Sequence, residues 1–432
     1  MREWKALLST VFSLFNKFIS LLAIFLYVRW TLPYLGKERF GVWMTLTTII
    51  AFVNIFSDFG LGSALVNHVA YAKAKEDLTE LKKTISSAFF FLFLVSILLG
   101  IIFYFIKSTL VSSISNGLDN HQMTEAANSL LYLFFFFIIS LPFVIVDKTL
   151  EGLQLLYVSS IWTATGNTLS LILTFIVTKN KLDIEWLICS TVGVQCVFRI
   201  VYFLIEFKGR LNDGRPSLKS VRFKMVSHLL KYGIVFFVLN IFNLLAFQID
   251  NLIISKQLGV VNVPLFSIMQ KLVTISFFSW FYTSSLWAAF ADAHTRKDIA
   301  WIRKTVSFIF KLNLSLGIVF GTLIVFFSAP IIALWTNNII SQPSFAMVLG
   351  FALYIILNGM IGTVAIVFNT GPLLKKQILG FCLAASLSVL LKFLFVKTLG
   401  IDYLMYMTFF PFLIFYVVPC YIKYRHYVKA QG

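Results

Sequence analysis

Twelve long apolar segments follow one another along the chain, separated by short polar connections. Each is long enough to cross the ~30 Å hydrocarbon core of a bilayer as a helix that rises about 1.5 Å per residue. Lipid offers the backbone no hydrogen-bond partner, and the segments lack the polar–apolar alternation of barrel strands, so the pattern predicts α-helices. Numbered as spans 1 to 12, they cover residues 9–30, 41–67, 85–106, 127–150, 159–178, 184–205, 230–254, 263–290, 306–328, 345–368, 378–396 and 402–422.

The composition supports an all-α polytopic membrane protein with about twelve transmembrane helices. Of the 432 residues, 59% are hydrophobic and only 12% are charged. Soluble domains typically contain roughly 25% charged residues, about twice as many. A chain made of several soluble domains is therefore excluded.

The net charge of +18 comes mostly from the connections and predicts the orientation of the chain. With Arg29 and Lys231, each next to a span end, counted in the adjoining loops, 22 Lys and Arg lie in the terminal segments and the even-numbered loops, and 8 lie in the odd-numbered loops. The positive-inside rule then places both termini in the cytoplasm. In a soluble protein this charge would suggest a nucleic-acid partner, but here the short basic loops of a membrane protein explain it, so no nucleic-acid partner is predicted.

A basic linker at residues 208–229 divides the spans into two sets of six. The sequence therefore predicts an N-terminal lobe at residues 1–207 and a C-terminal lobe at residues 230–432. The pairs Leu35-Gly36 and Leu258-Gly259 recur at an offset of 223 residues, as expected for an internal repeat. The predicted architecture is MATE-like, with two six-helix lobes around a central cleft.

The sequence lacks the motifs of nucleotide and metal chemistry. It has no phosphate-binding G-x-x-x-x-G-K-[ST] motif, so it has no ATPase site of that type. The five His and four Cys show no metal-ligand spacing, and no metal or other cofactor is predicted. No connection between spans exceeds about 25 residues, which leaves little room for a soluble catalytic domain. A protein that is not an enzyme is favoured.

Nine charged residues lie at least two residues from either end of a predicted span. A charge at the bilayer centre costs about 2.5–3.5 kcal/mol unless it finds a partner or reaches water. Six are basic and three are acidic. This surplus of cations suggests an interior cavity for an anionic ligand. The nine residues are Lys17, Asp58, Asp147, Lys148, Arg199, Asp250, Lys271, Lys311 and Lys392.

Position along each span separates candidate cavity residues from residues that can reach the membrane surface. Lys17 lies near the middle of span 1 and Lys271 up to two turns inside span 8, and both are predicted to line the cavity. Lys311 and Lys392 lie near span ends and are predicted to extend toward the headgroups. Arg199 could do either.

Span 7 has polar residues on one face. Asn240, Asn243 and Asp250 fall within an arc of about 80° on a continuous helix with 3.6 residues per turn. These side chains could line the cavity, or they could hydrogen-bond to neighbouring helices, as polar groups often do in membranes. The sequence leaves both interpretations open.

Four short stretches form two groups, one in each half of the chain. In the first half LPYLGKERFGVW begins at Leu32 and SDFGLG at Ser57, and in the second half QIDNLIISKQLG begins at Gln248 and SIMQKL at Ser267. Together they resemble the Wzx-type polysaccharide flippases, which belong to the MOP superfamily with the multidrug (MATE) exporters and the lipid II flippase. Span count, length and the basic linker extend the resemblance over essentially the whole chain.

The resemblance implies a flippase that moves undecaprenyl-pyrophosphate-linked oligosaccharide repeat units, such as O-antigen, from the cytoplasmic to the periplasmic leaflet of a bacterial inner membrane by alternating access. It also implies that Lys17 and Lys271 lie on cavity-lining helices, and that Asp58 and Asp250 pair charges or couple transport to H⁺ or Na⁺. With the polar residues of the spans added, the predicted substrate-binding residues are Lys17, Lys271, Arg199, Asn240 and Asn243.

Other functions remain open from the sequence. A cation-coupled multidrug exporter would need an acidic interior, which the cationic surplus disfavours. A membrane glycosyltransferase or polymerase, and a scaffold without transport activity, are further alternatives. For the flippase, the expected partners are the lipid-linked oligosaccharide and the bilayer, and the polymerase and chain-length proteins of the same pathway are candidates.

Overall fold

The computed structural model describes residues 2–58, 60–114, 119–274, 298–369 and 374–431, together with positions 286, 290, 293 and 296. Within these ranges, the side chains that lie outside the description are those of residues 2–18, 21, 52–58, 63, 74, 113–114, 121, 232, 235–236, 369, 374–376 and 429–431. Every regular element in the described ranges is helical. The predicted all-α fold class is confirmed.

Sixteen α-helices are described in this part of the chain and are numbered here in order. They are α1 (Arg2–Asp58), α2 (Leu61–Ala74), α3 (Leu78–Ile114), α4 (Asn120–Ser140), α5 (Ile145–Gly152), α6 (Leu156–Lys179), α7 (Ile184–Ile188), α8 (Val194–Lys208), α9 (Phe223–Phe247), α10 (Asp250–Leu258), α11 (Val263–Thr274), α12 (Ile299–Trp335), α13 (Phe345–Asn369), α14 (Leu374–Leu399), α15 (Leu404–Phe412) and α16 (Val418–Gln431). Short 3₁₀ or π segments join α4 to α5, α7 to α8 and α15 to α16, so each of these pairs forms one span.

The helices reproduce most of the predicted spans. In the described residues, eight helical segments are long and apolar enough to cross a bilayer, and they correspond to spans 3–6 and 9–12. A pair bent by 43°, Phe237–Phe247 with Asp250–Leu258, corresponds to span 7 and makes a ninth. The apolar helix Val260–Thr274 covers the start of predicted span 8, and most of the rest of that span lies outside the described residues. Spans 1 and 2 fall on α1 and α2, so the total of twelve stays a prediction.

The two repeated glycines interrupt the helical backbone in both halves. Gly36, inside α1, has φ 71° and ψ 178°, and Gly259, directly after α10, has φ 89° and ψ 156°. Positive φ is accessible mainly to glycine, which has no Cβ. Two positions related by the sequence offset therefore adopt similar backbone conformations, as an internal repeat requires.

The chain forms two compact units, unit 1 at Met1–Ile241 and unit 2 at Phe242–Gly432. The division falls within α9, whereas the sequence placed it in the linker at residues 208–229. The lobe boundaries and the central cleft that the sequence predicts stay predictions.

Unit 1 has its apolar core where α2, α3, α5 and α8 meet, with Leu65, Ile85 and Leu150 fully buried. The start of α2 also approaches α9 very closely. A Cβ atom at Gly60 would lie 2.1 Å from the carbonyl oxygen of Gly233, and Gly60 itself has φ 71°. Only glycine fits this position without displacing backbone.

Candidate functional site

The span formed by α9 and α10 is broken inside unit 2. The helix α9 ends at Phe247, a turn follows, and α10 begins at Asp250 with a bend of 43°. A helix end leaves its last carbonyl groups without intrahelical donors. In the hydrocarbon region such groups need partners from neighbouring helices, and broken helices of this kind are typical of transporter sites.

Two side chains from other helices supply those partners. The Lys392 ammonium, on α14, donates to the Ala246 carbonyl oxygen at 2.8 Å and lies 2.6 Å from Oδ1 of Asp250. The Gln270 amide, on α11, lies 3.4 Å from the Phe247 carbonyl oxygen and 3.5 Å from Oδ2 of Asp250. We refer to Asp250, Lys392 and Gln270 as the break network.

The break network places each charge where the helix dipoles stabilise it. The ammonium lies at the carbonyl end of α9 and the carboxylate at the amide end of α10, which are the favourable ends for a cation and an anion. Both side chains of the Lys392–Asp250 pair are 0% exposed. The pair therefore satisfies two charges that would otherwise be very costly in this apolar interior.

This geometry corrects two predictions. Lys392 does not extend to the headgroups, because Asp250 and the free carbonyl of Ala246 hold its ammonium inside the bundle. The three polar residues of span 7 do not share one face, because the break at residues 248–249 ends the helical register. Asn240 and Asn243 are exposed on α9, whereas Asp250 is buried on α10.

Lys271 follows Gln270 on α11 and is half-buried. Successive helical residues point about 100° apart, so the two side chains leave the helix in different directions. Lys271 has no hydrogen bond or ion pair with any described residue, in contrast to Lys392. An ammonium in this position needs water or an anion nearby.

Arg199 belongs to a separate cluster in unit 1. Its Nε lies 3.9 Å from Oδ2 of Asp147, and both side chains are about one-third exposed. The Ser159 hydroxyl donates to Oδ1 of Asp147 at 2.5 Å. Because Asp147 already neutralises Arg199, this arginine contributes less to the cationic surplus than the sequence suggested.

The remaining predicted residues are placed only in part. Lys17 and Asp58 lie on α1, but their side chains lie outside the described residues. Within the described residues, no group of three or more His, Cys, Asp and Glu side chains could hold a metal ion.

Sequence reasoning missed Gln270 and the role of the Ala246 carbonyl. The only sequence feature that could have indicated Gln270 is its position next to Lys271 in an otherwise apolar helix. No sequence feature indicated the free carbonyl of Ala246, because the turn at residues 247–249, where the helix breaks, contains neither Gly nor Pro.

A profile of the family described as "Polysaccharide biosynthesis protein" matches residues 5–290. The chain belongs to this family. The matched region contains all seven site residues that the sequence predicted, whereas Lys392 lies beyond it. The predicted resemblance to polysaccharide flippases is confirmed at the level of the family.

Among curated proteins, this chain is similar to a candidate O-antigen export protein of Yersinia pseudotuberculosis. It is 22% identical over 292 residues, which cover 65% of this chain. The chain spans 64% of the length of that relative.

Solved structures show the same fold at low sequence identity. A multidrug resistance MATE family transporter of the MOP superfamily, in an inward-facing conformation, matches with a TM-score of 0.75 at 13% identity, over 96% of this chain and 95% of its own. The lipid II flippase MurJ matches with a TM-score of 0.69 at 16% identity, over 97% and 87%. A MOP superfamily transporter from Pyrococcus furiosus matches with a TM-score of 0.67 at 12% identity, over 100% and 96%. The fold is that of MOP superfamily transporters.

Proposed function

We propose that this protein is a flippase that carries undecaprenyl-pyrophosphate-linked oligosaccharide repeat units from the cytoplasmic to the periplasmic leaflet by alternating access, without catalysing a covalent step. The family match and the MOP fold support a transporter of lipid-linked glycans. The observation that carries the choice of an anionic substrate is Lys271, a half-buried ammonium without a described counterion.

The charge of the substrate gives Lys271 its proposed role. A pyrophosphate linker would cross hydrocarbon only at prohibitive cost unless positive groups accompanied it. Lys271 offers such a group, and we propose that Lys17, Asn240 and Asn243 bind the substrate with it. Arg199, which Asp147 already neutralises, would contribute mainly through its remaining hydrogen-bond donors.

Of the two proposed acidic positions, we assign charge pairing to Asp250. Its carboxylate is fully buried and lies 2.6 Å from the Lys392 ammonium, which already balances its charge within the bundle. We leave Asp58 as the candidate position for coupling to H⁺ or Na⁺. No other cofactor is proposed.

A multidrug exporter that binds cations is less well supported. Such a protein would need a free carboxylate in its spans, yet among the side chains that the structure describes both Asp147 and Asp250 are paired with basic residues. A glycosyltransferase or polymerase is also less well supported, because the relatives named above are an export protein and transporters.

We further propose that the protein lies in a bacterial inner membrane with both termini in the cytoplasm. The described apolar helices support a multi-pass membrane protein, and the loop charges support the orientation. The polymerase and chain-length proteins of the same pathway are the proposed partners.

Deleting the gene in its host tests the function. We expect lipid-linked oligosaccharide to accumulate on the cytoplasmic face and surface glycan to be lost, with both restored by a plasmid copy. Normal surface glycan in the deletion strain would refute the proposal. Glycan chain growth by the purified protein would instead show an enzyme, and lower drug resistance in the deletion strain with intact glycan would show an exporter.

A further inference from the structure

The basic linker is fixed to unit 1 along one helix. The backbone amides of Ser217 and Arg222 donate to the hydroxyls of Ser86 and Ser87 on α3, at 3.0 and 2.9 Å. Gly214 packs against Ile85 of the same helix so closely that a Cβ would lie 2.7 Å from its Cδ1. The linker therefore holds a defined position beside the first turns of α3.

The sequence of α3 shows at which depth of the membrane this contact lies. Between Lys83 and Lys107 the helix contains no charged residue, and this stretch is about 33 Å long at 1.5 Å per residue. That length matches the ~30 Å hydrocarbon core of a bilayer. Ile85, Ser86 and Ser87 lie within four residues of Lys83, so the linker is fixed at the boundary between hydrocarbon and headgroups.

At this boundary the linker exposes two large apolar side chains. Leu218 is 73% exposed and Phe223, at the start of α9, is 79% exposed. Exposing such side chains to water is unfavourable, whereas apolar side chains flanked by basic residues anchor proteins in the membrane interface.

Basic residues surround these two side chains, and all of them are exposed. The only acidic residue in the segment is Asp213. Except for Arg210, which lies 3.8 Å from Glu206, none pairs with a described carboxylate. The basic residues are Lys208, Arg210, Arg215, Lys219, Arg222 and Lys224.

We propose that residues 208–224 form a binding site for anionic phospholipids of the leaflet that faces this end of α3. Leu218 and Phe223 insert between the acyl chains, and the basic side chains bind headgroup phosphates. The charge of the segment selects an anionic partner, and its fixed depth beside α3 selects a lipid over a soluble protein. This inference does not depend on the proposed function.

Native mass spectrometry of the full-length protein, released from micelles that contain equal amounts of phosphatidylglycerol and phosphatidylcholine, tests the site. The triple variant Arg215→Gln/Lys219→Gln/Lys224→Gln removes three exposed cations. We expect its affinity for phosphatidylglycerol to fall about a hundredfold at low salt, since each basic residue near an anionic surface contributes about fivefold. The matched control, Lys107→Gln/Lys181→Gln/Lys397→Gln, removes three exposed cations elsewhere and should lose at most about threefold.

Two further arms separate the possible ligands. Leu218→Ser/Phe223→Ser should weaken phosphatidylglycerol binding at unchanged charge, which a site for free phosphate would not show. Inorganic pyrophosphate should not displace the lipid; if it does so at equal concentration, the segment is a pyrophosphate site and the proposal is wrong. Equal losses in the triple variant and its control would also overturn it, with gel filtration confirming that each variant is folded.

Discussion

Lys392 and Asp250 form an ion pair without solvent exposure at the break between α9 and α10. In such a pair the attraction offsets the cost of removing both charges from water, and removal of one partner leaves the other charge uncompensated. The stability of unit 2 therefore depends on keeping both residues or replacing both.

A pair of variants tests this dependence. Lys392→Met should lower the free energy of unfolding by about 3–5 kcal/mol, because Asp250 would remain buried without its cation. The double variant Lys392→Met/Asp250→Asn should recover a large part of that loss. Thermal unfolding of the purified protein in nanodiscs measures both. Lys397→Met, an exposed lysine on the same helix, is the matched control and should leave the unfolding temperature unchanged. If Lys392→Met unfolds at the wild-type temperature, the pair has no such role.

Gly36 and Gly60 have the same φ of 71°, but only Gly60 is closely packed. Substituting each one therefore distinguishes the cost of backbone strain from the cost of a steric clash. Gly36→Ala should cost about 1–3 kcal/mol, since nothing lies within 4 Å of the new Cβ and only the strain remains. Gly60→Ala should cost clearly more, because its Cβ would overlap the carbonyl oxygen of Gly233. The yield of folded protein on gel filtration and its unfolding temperature compare the two. Equal costs would mean that the approach of α2 to α9 is not tight.

At the scale of elements, α2 and α9 also meet through two histidines. The rings of His68 and His228 lie 5.0 Å apart between centroids, at 74° to each other. Burial is the largest cause that lowers the pKa of His68, and His228 lowers this pKa further, whereas Glu80 opposes the shift. The neutral form of His68 is therefore favoured in the folded protein.

The lowered pKa predicts how the stability of this helix contact depends on pH. Below about pH 6.5, the ordinary pKa of histidine, the unfolded chain binds a proton at His68 more readily than the folded one, so stability should fall as the pH is lowered. Unfolding temperatures measured between pH 5 and pH 8 should show this slope, and His68→Gln should reduce it. His426→Gln, at an exposed histidine on α16, should not. A wild-type slope retained in His68→Gln would contradict the assignment.

The positions of most helices could be predicted from the sequence, but the break in span 7 could not. Hydropathy identifies spans because the cost of exposing polar backbone to lipid dominates locally. Gly36 and Gly259, which recur at the repeat offset, interrupt the helical backbone within the connections that hydropathy predicts after spans 1 and 7. The turn Phe247-Gln248-Ile249 has no Gly or Pro, and its stability comes from Lys392 and Gln270 on other helices. Such tertiary partners cannot be deduced from local sequence.

At the scale of the whole molecule, the surplus of cations predicted from the spans is smaller in the structure. Lys392 and Arg199 are neutralised by Asp250 and Asp147, which the sequence could not pair because the partners lie on different helices. Lys271 has no described counterion. The proposed transport of an anionic lipid therefore depends more on Lys271 than the sequence alone suggested.

Flipping rates in proteoliposomes test this central claim most directly. Purified protein is reconstituted with polyprenyl-pyrophosphate-linked oligosaccharide, and the fraction accessible to an added glycosidase is followed over time. Wild-type protein should speed equilibration between leaflets at least tenfold over protein-free vesicles. Lys271→Ala should abolish most of this increase, Lys271→Arg should keep it, and Lys311→Ala, at an exposed lysine on α12, should match the wild type. Flipping by Lys271→Ala at the wild-type rate would contradict the account.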